Sequence, residues 1–94
     1  MFARVTKYKM KADKMAEATA KVALLKDQIM AMPGFIRFVN VGNADGSGYV
    51  IALSESREIS EANAPAVAAL WQQFADFLET APSPEGFDVI ADWG

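Results

Sequence analysis

Side chains from Phe2 to Met10 alternate. Phe2, Arg4, Thr6, Tyr8 and Met10 fall on one face, and Ala3, Val5, Lys7 and Lys9 on the other. A period of two with aromatic and β-branched residues predicts a strand. Lys11-Ala12-Asp13 interrupts it and places Asp13 to cap the next element. From Lys14 to Met32, the side chains of Met15, Thr19, Val22, Leu25, Ile29 and Met32 recur at steps of three and four. That spacing predicts an amphipathic helix, and its alanines favour the helical state. Pro33-Gly34 ends it, because proline cannot continue a helix and glycine accepts the left-handed geometry of a C-terminus.

Phe35 to Val41 reads as a second strand and Tyr49 to Ser54 as a third. The turn-rich run Gly42 to Gly48 between them predicts a hairpin. Ser56 and Ser60 are candidate caps before a second helical region, and Asn63 and Pro65 suit a helix start. Val67, Leu70, Trp71, Phe74, Phe77 and Leu78 form its broad apolar face, and Pro82 and Pro84 stop it near Thr80. Phe87 to Trp93 reads as the last strand, with Phe87, Val89, Ala91 and Trp93 on one face.

The order β-α-β-β-α-β predicts an α+β, ferredoxin-like fold: a four-stranded antiparallel sheet with two helices on one face. Right-handed crossovers put strand one beside strand three. Neither face of this sheet is polar. Strand two offers Phe35, Val39 and Val41 on one side, and Ile36 and Phe38 on the other. Strand three sets Tyr49, Ile51 and Leu53 against Val50 and Ala52. The helices cover one face only. A second copy is therefore the expected cover for the other, in an isologous dimer packed sheet to sheet.

With 94 residues the chain is expected to form one domain spanning residues 1–94. Nine basic and twelve acidic residues give a net charge of -3, which argues against a general nucleic-acid or anionic-membrane binder. Charges interrupt every apolar run, so neither a signal peptide nor a membrane span is expected, and a cytoplasmic location follows. The chain has no cysteine and no histidine. Disulfides, thiolate nucleophiles, Cys- or His-type zinc sites and the Ser-His-Asp triad are excluded, with the commonest general base near neutral pH. Any acid–base chemistry falls to carboxylates, lysine, tyrosine or the substrate itself.

The segments Lys7 to Lys14, Pro33-Gly34-Phe35 and Tyr49 to Glu58 resemble the antibiotic-biosynthesis-monooxygenase-type domains. Lys7-Tyr8-Lys9-Met10-Lys11-Ala12-Asp13-Lys14 is similar to their first strand and turn. Pro33-Gly34-Phe35 is similar to their helix-to-strand turn, and Tyr49 to Glu58 to their third strand and Ser-x-Glu helix start. The resemblance implies a dimeric α+β barrel with a pocket between each sheet and its helices. It also implies activities that include cofactor-free oxidation of quinol-type aromatics by dioxygen, and haem degradation. The sequence departs from both patterns. Where enzymatic members carry a late Glu and Trp on strand three, this chain has Ala52 and Ser54. Where haem-degrading members use an Asn on strand one and a His, it has Thr6 and no His. Haem degradation by that route is not expected, and the residues call for no cofactor.

The resemblance turns the Arg4-Thr6-Tyr8 face toward the pocket. There Arg4 and Tyr8 would bind a phenolate or carboxylate, with Tyr8 able to pass a proton. The alternative is that Arg4 pairs with a carboxylate and Tyr8 packs at an edge. Trp71 and Phe74 form either an aromatic wall or plain core. Asn40 and Ser54 are candidate hydrogen-bond donors, although Asn40 suits the hairpin backbone better. Asn43-Ala44-Asp45-Gly46-Ser47-Gly48 starts like a calcium loop but has one carboxylate, and Ser54 stands where the bidentate Glu belongs. The function expected is small-molecule, aromatic-ligand binding with a cofactor-free monooxygenase activity as one form of it. The alternative is a non-catalytic dimerisation or regulatory module with a filled pocket. An open pocket of roughly 300 Å³ would mark the first, and a sealed one the second.

Overall fold

The computed structural model describes residues 1–94. Four strands, β1 (Phe2–Lys9), β2 (Phe35–Gly42), β3 (Ser47–Ser54) and β4 (Ser83–Asp88), form one antiparallel sheet in the order β2-β3-β1-β4. This is the α+β ferredoxin-like arrangement, with β1 beside β3.

The helices are more broken than the periodicity predicts. The first region is a 3-10 turn (Ala12–Lys14) followed by α1 (Met15–Leu24) and α2 (Lys26–Met30), which separate at Leu25. Asp13 lies inside the 3-10 turn, and neither Lys11 nor Lys14 makes a side-chain cap, so the expected Asp13 cap is absent. The second region is α3 (Arg57–Ala62) and α4 (Ala64–Gln72), then a 3-10 turn over Ala75–Phe77. Here the Ser56 cap forms: its Oγ accepts from the Ile59 amide at 3.2 Å. Ser60 instead lies within α3, buried. Pro65 enters in the first turn of α4, where its missing amide costs no helical bond. The helix stops at Gln72, well short of Thr80, and the chain closes on Phe77 and Leu78 in a tighter turn.

The last strand lies earlier than expected, at Ser83–Asp88 rather than Phe87–Trp93. Pro84 is tolerated because β4 is an edge strand with one paired side. Residues 89–94 carry no regular structure, and Ile90 and Trp93 are 98% and 92% exposed. Two turns require glycine. Gly34 (φ +66°) follows α2, and Gly46 (φ +94°) closes the β2–β3 hairpin with its amide against the Asn43 carbonyl. Asp45 organises that hairpin: its carboxylate accepts from the Ser47 amide at 3.0 Å and from Ser47 Oγ at 2.6 Å, which holds it below its ordinary pKa.

Register assigns the two sheet faces. Phe2, Thr6, Tyr8 and Met10 are buried beneath the helices, where Tyr8, Met10, Ala18 and Phe74 form the core cluster. Their cross-strand partners include Gly48, Val50 and Ser54. The opposite face carries Val5, Val39, Val41, Tyr49, Ile51, Leu53 and Phe87 with no helix over it. A bulge between Phe35 and Arg37 shifts the register of β2. Phe35 therefore joins Phe38 on the helix face, where simple alternation separates them.

Candidate functional site

Alternate residues of β1 point Arg4, Thr6 and Tyr8 toward the helices, and the antiparallel register sets Ala52, Val50 and Gly48 opposite them. Val67, Leu70 and Trp71 of α4 come down on this surface from above, with Phe74 just past the helix end. Between the two layers lies a chamber of about 90 Å³ lined by 19 residues, 13 of them hydrophobic. Arg4, Thr6, Tyr8, Asn40, Ser54, Trp71 and Phe74 all border it. Ser60, Met32, Phe35 and Phe38 border it too, and none of these was a candidate from the sequence. Phe35 and Phe38 are hidden by the bulge. Ser60 is hidden because a serine near a helix start reads as a cap.

The polar groups fall at two ends. At one, the Tyr8 hydroxyl donates to Asn40 Oδ1 at 2.7 Å, with the Val41 carbonyl at 3.3 Å. Asn40 thus serves a side chain rather than the hairpin backbone. Burial pushes the Tyr8 hydroxyl above its ordinary value of 10.0, and the Asn40 bond only partly offsets this. Tyr8 is protonated at neutral pH and acts as a donor, not as a base. Gly48 leaves the space the phenol occupies: a Cβ there would lie 2.6 Å from Tyr8 Cζ.

At the other end, Arg4 Nη2 donates to the Ser60 carbonyl at 2.9 Å. The ion pairs of the chain are Lys9–Asp45, Lys14–Glu17 and Arg57–Asp88, so Arg4 has no carboxylate partner. Thr6, Ser54 and Ser60, only 3%, 3% and 5% exposed, border the chamber with it, and no buried side-chain nitrogen or oxygen of the chain lacks a hydrogen-bond partner. Trp71 makes the wall, its ring 5.9 Å from Tyr8 and 6.4 Å from Phe74.

Beyond Trp71, a wider open groove of about 830 Å³ runs between α4 and β4. Chamber and groove meet at Arg4, Thr6, Val67 and Trp71. Small residues hold the groove open: Ala64, Ala68 and Ala75 on one wall, and Pro84 and Gly86 on the other.

This geometry limits the chemistry. No carboxylate borders the chamber and the chain has no histidine, so no chamber group accepts a proton near neutral pH. No cluster of three or more metal-ligating side chains occurs, and no helix is long and apolar enough to cross a membrane. Haem does not fit. A cavity of about 150 Å³ takes a single benzene ring, and this chamber is smaller, with Tyr8, the one phenol beside it, committed to Asn40.

Neither a protein-family profile nor a curated protein matches the chain. Solved structures do. A candidate antibiotic biosynthesis monooxygenase from Nitrosomonas europaea superposes with a TM-score of 0.78 at 18% identity, covering 97% of this chain and 100% of its own. A second protein from that organism, of unknown function, gives 0.82 at 17% identity over 98% and 91%. The haem degrader MhuD of Mycobacterium tuberculosis, with two haems bound in its active site, gives 0.78 at 24% identity over 100% of both chains. The chain has the α+β ferredoxin-like fold of the antibiotic-biosynthesis-monooxygenase-type domains.

Proposed function

We propose that this chain is a homodimeric, small-molecule-binding protein that takes an aromatic ring between its sheet and α4. The observation that carries the reading is Arg4, which borders an apolar chamber with one hydrogen bond, to the Ser60 carbonyl, and no carboxylate partner. A ligand oxygen would take up its remaining donors, with the hydroxyls of Thr6, Ser54 and Ser60 on the same lining. Trp71, Tyr8 and Phe74 supply the aromatic surround, and Asn40 fixes the Tyr8 hydroxyl. Oxidation by dioxygen without metal or flavin is confined, on this geometry, to a substrate that arrives already deprotonated.

The uncovered sheet face supports the dimer. The chain exposes 5997 Å², against about 5,300 Å² for a folded monomer of this mass. Only 13 of 94 residues are buried, while Val41, Tyr49 and Phe87 on the outer face are 43% to 49% exposed. Sheet-to-sheet packing would bury them.

One observation favours the second reading, a non-catalytic module: the chamber's 90 Å³ falls well below the roughly 300 Å³ of an ordinary ligand site. Native mass spectrometry of gently purified protein, followed by amide chemical-shift mapping with phenol, separates the two. A dimer whose Thr6, Ser54 and Ser60 amides shift with phenol supports binding. A dimer whose amides stay unmoved supports the module. A folded monomer at micromolar concentration refutes the dimer under either.

A further inference from the structure

We infer that the ligand is an aryl anion, that its charged oxygens rest on Arg4, and that it enters through the groove between α4 and β4 with Trp71 as the gate. This rests on the binding reading above and adds the charge of the ligand and its path.

The charge follows from Arg4. A guanidinium is always protonated and presents five donors. Here one N–H reaches the Ser60 carbonyl, and no carboxylate neutralises the group. Arg4 is partly buried in a chamber lined mostly by apolar side chains. An unpaired cation in such surroundings is costly, and an anion bonded to its free donors removes that cost. The hydroxyl-bearing residues Thr6, Ser54 and Ser60 border the same chamber, and no acid competes for Arg4 inside it.

The path follows from volume and shared walls. At about 90 Å³ the chamber is too small for a ring while Trp71 keeps its place. Trp71 also borders the groove, and so does Arg4. Swinging the indole toward the groove enlarges the chamber and opens it in one movement. The alanines of α4 leave space for that swing. The groove carries Glu61, Glu79 and Glu85, with Arg57 already paired to Asp88 at 3.7 Å. Arg4 is therefore the one unpaired cation along the route, which fixes where a charged group stops.

The test uses a Trp93→Phe background, in which Trp71 is the sole indole and reports on the gate; Trp93 itself is 92% exposed. The probes are benzoate and benzyl alcohol, which match in size and differ in charge. Benzoate should bind about tenfold or more tightly than benzyl alcohol, the worth of a charge-assisted bond. Arg4→Gln, which keeps a donor for the Ser60 carbonyl, should bring benzoate down to the level of the alcohol. Ala68→Leu narrows the groove without touching the chamber. It should slow benzoate association in stopped-flow fluorescence by about tenfold or more. Equal affinity for the two probes overturns the anion assignment while leaving ring binding intact. An unchanged association rate in Ala68→Leu, with its urea midpoint preserved, overturns the groove as the route. Failure of both probes to bind overturns the binding reading itself.

Discussion

Gly86 sits on edge strand β4, paired with Arg4, and the Phe2 ring lies directly against its backbone. A Cβ at Gly86 would collide with Phe2 Cζ and crowd Cε2 and Cε1 at 3.2 and 3.3 Å, and no other atom outside its chain neighbours comes as near. Phe2 has little room to retreat. It is 4% exposed, with the Arg57 guanidinium 4.4 Å from its ring centroid. Gly86→Ala should therefore behave as an overpacking change, which costs about 1–3 kcal/mol. Against this stands the gain from replacing glycine in a strand, about 0.5–1 kcal/mol. The net expectation runs from about zero to a loss of about 2.5 kcal/mol, or up to roughly 20 °C in Tm for a domain of this size. Leucine lacks the three ring atoms that collide. In a Phe2→Leu background the same Gly86→Ala change should be neutral or slightly stabilising. The gain from replacing glycine cancels between backgrounds, so the coupling across this double-mutant cycle should be the steric cost itself, about 1–3 kcal/mol. Urea denaturation of the four proteins measures it, with equal m-values as the condition for comparing midpoints. A coupling below about 0.5 kcal/mol, the noise of such cycles, would refute the steric argument.

Three further outcomes are expected. Ser56→Ala removes the 3.2 Å acceptor of the Ile59 amide and should destabilise the protein by about 1 kcal/mol, seen as a lower urea midpoint at constant m. Burial raises the Tyr8 pKa, so its contribution to stability is fully present below the unfolded value near 10 and is lost as pH rises through the higher folded value. Urea midpoints taken from neutral to strongly alkaline pH should fall, and the fall should be shallower in Tyr8→Phe; equal slopes would contradict the assigned burial. Ile51→Lys places a charge at the centre of the uncovered sheet face, between Val5 and Val39. It should convert the proposed dimer to monomer in sedimentation, and abolish any dependence of the thermal midpoint on protein concentration.

Fold and site were legible to different depths. The period of two in β1 carried the most information, because it grouped Arg4, Thr6 and Tyr8 on one face, which the resemblance then turned toward the pocket. Arg4, Thr6 and Tyr8 followed from it, and the structure brings them together with Ser54, Asn40, Trp71 and Phe74 around one chamber. Local signals also placed the Ser56 cap and the glycine at Gly34. What escaped depends on tertiary context. The break at Leu25 leaves the apolar spacing unchanged, so periodicity cannot show it. Pro84 reads as a barrier to any regular element, yet an edge strand accommodates it and begins one residue earlier. The bulge at Phe35/Arg37 reverses which face Phe35 takes, and no residue there announces it. The groove between α4 and β4 had no sequence signature, because alanines on a helix read as propensity rather than as space.

That last point bears on how one short helix shapes the site. On α4, Leu70 is buried toward the chamber, and Val67 and Trp71 also border it. Ala64 and Ala68 line the groove, with Ala75 just beyond the helix end. Large residues on one side close the chamber nearly to exclusion of a ring, and small residues on the other keep the groove open. Val67 and Trp71 belong to both walls. A substitution that enlarges an alanine should change access before it changes affinity. One that trims Leu70 should enlarge the chamber at a cost in stability of about 2–5 kcal/mol, because the removed side chain is core. Size and access are thus set by different residues of the same nine-residue helix. Val67 and Trp71 are the residues at which the two properties cannot be varied independently.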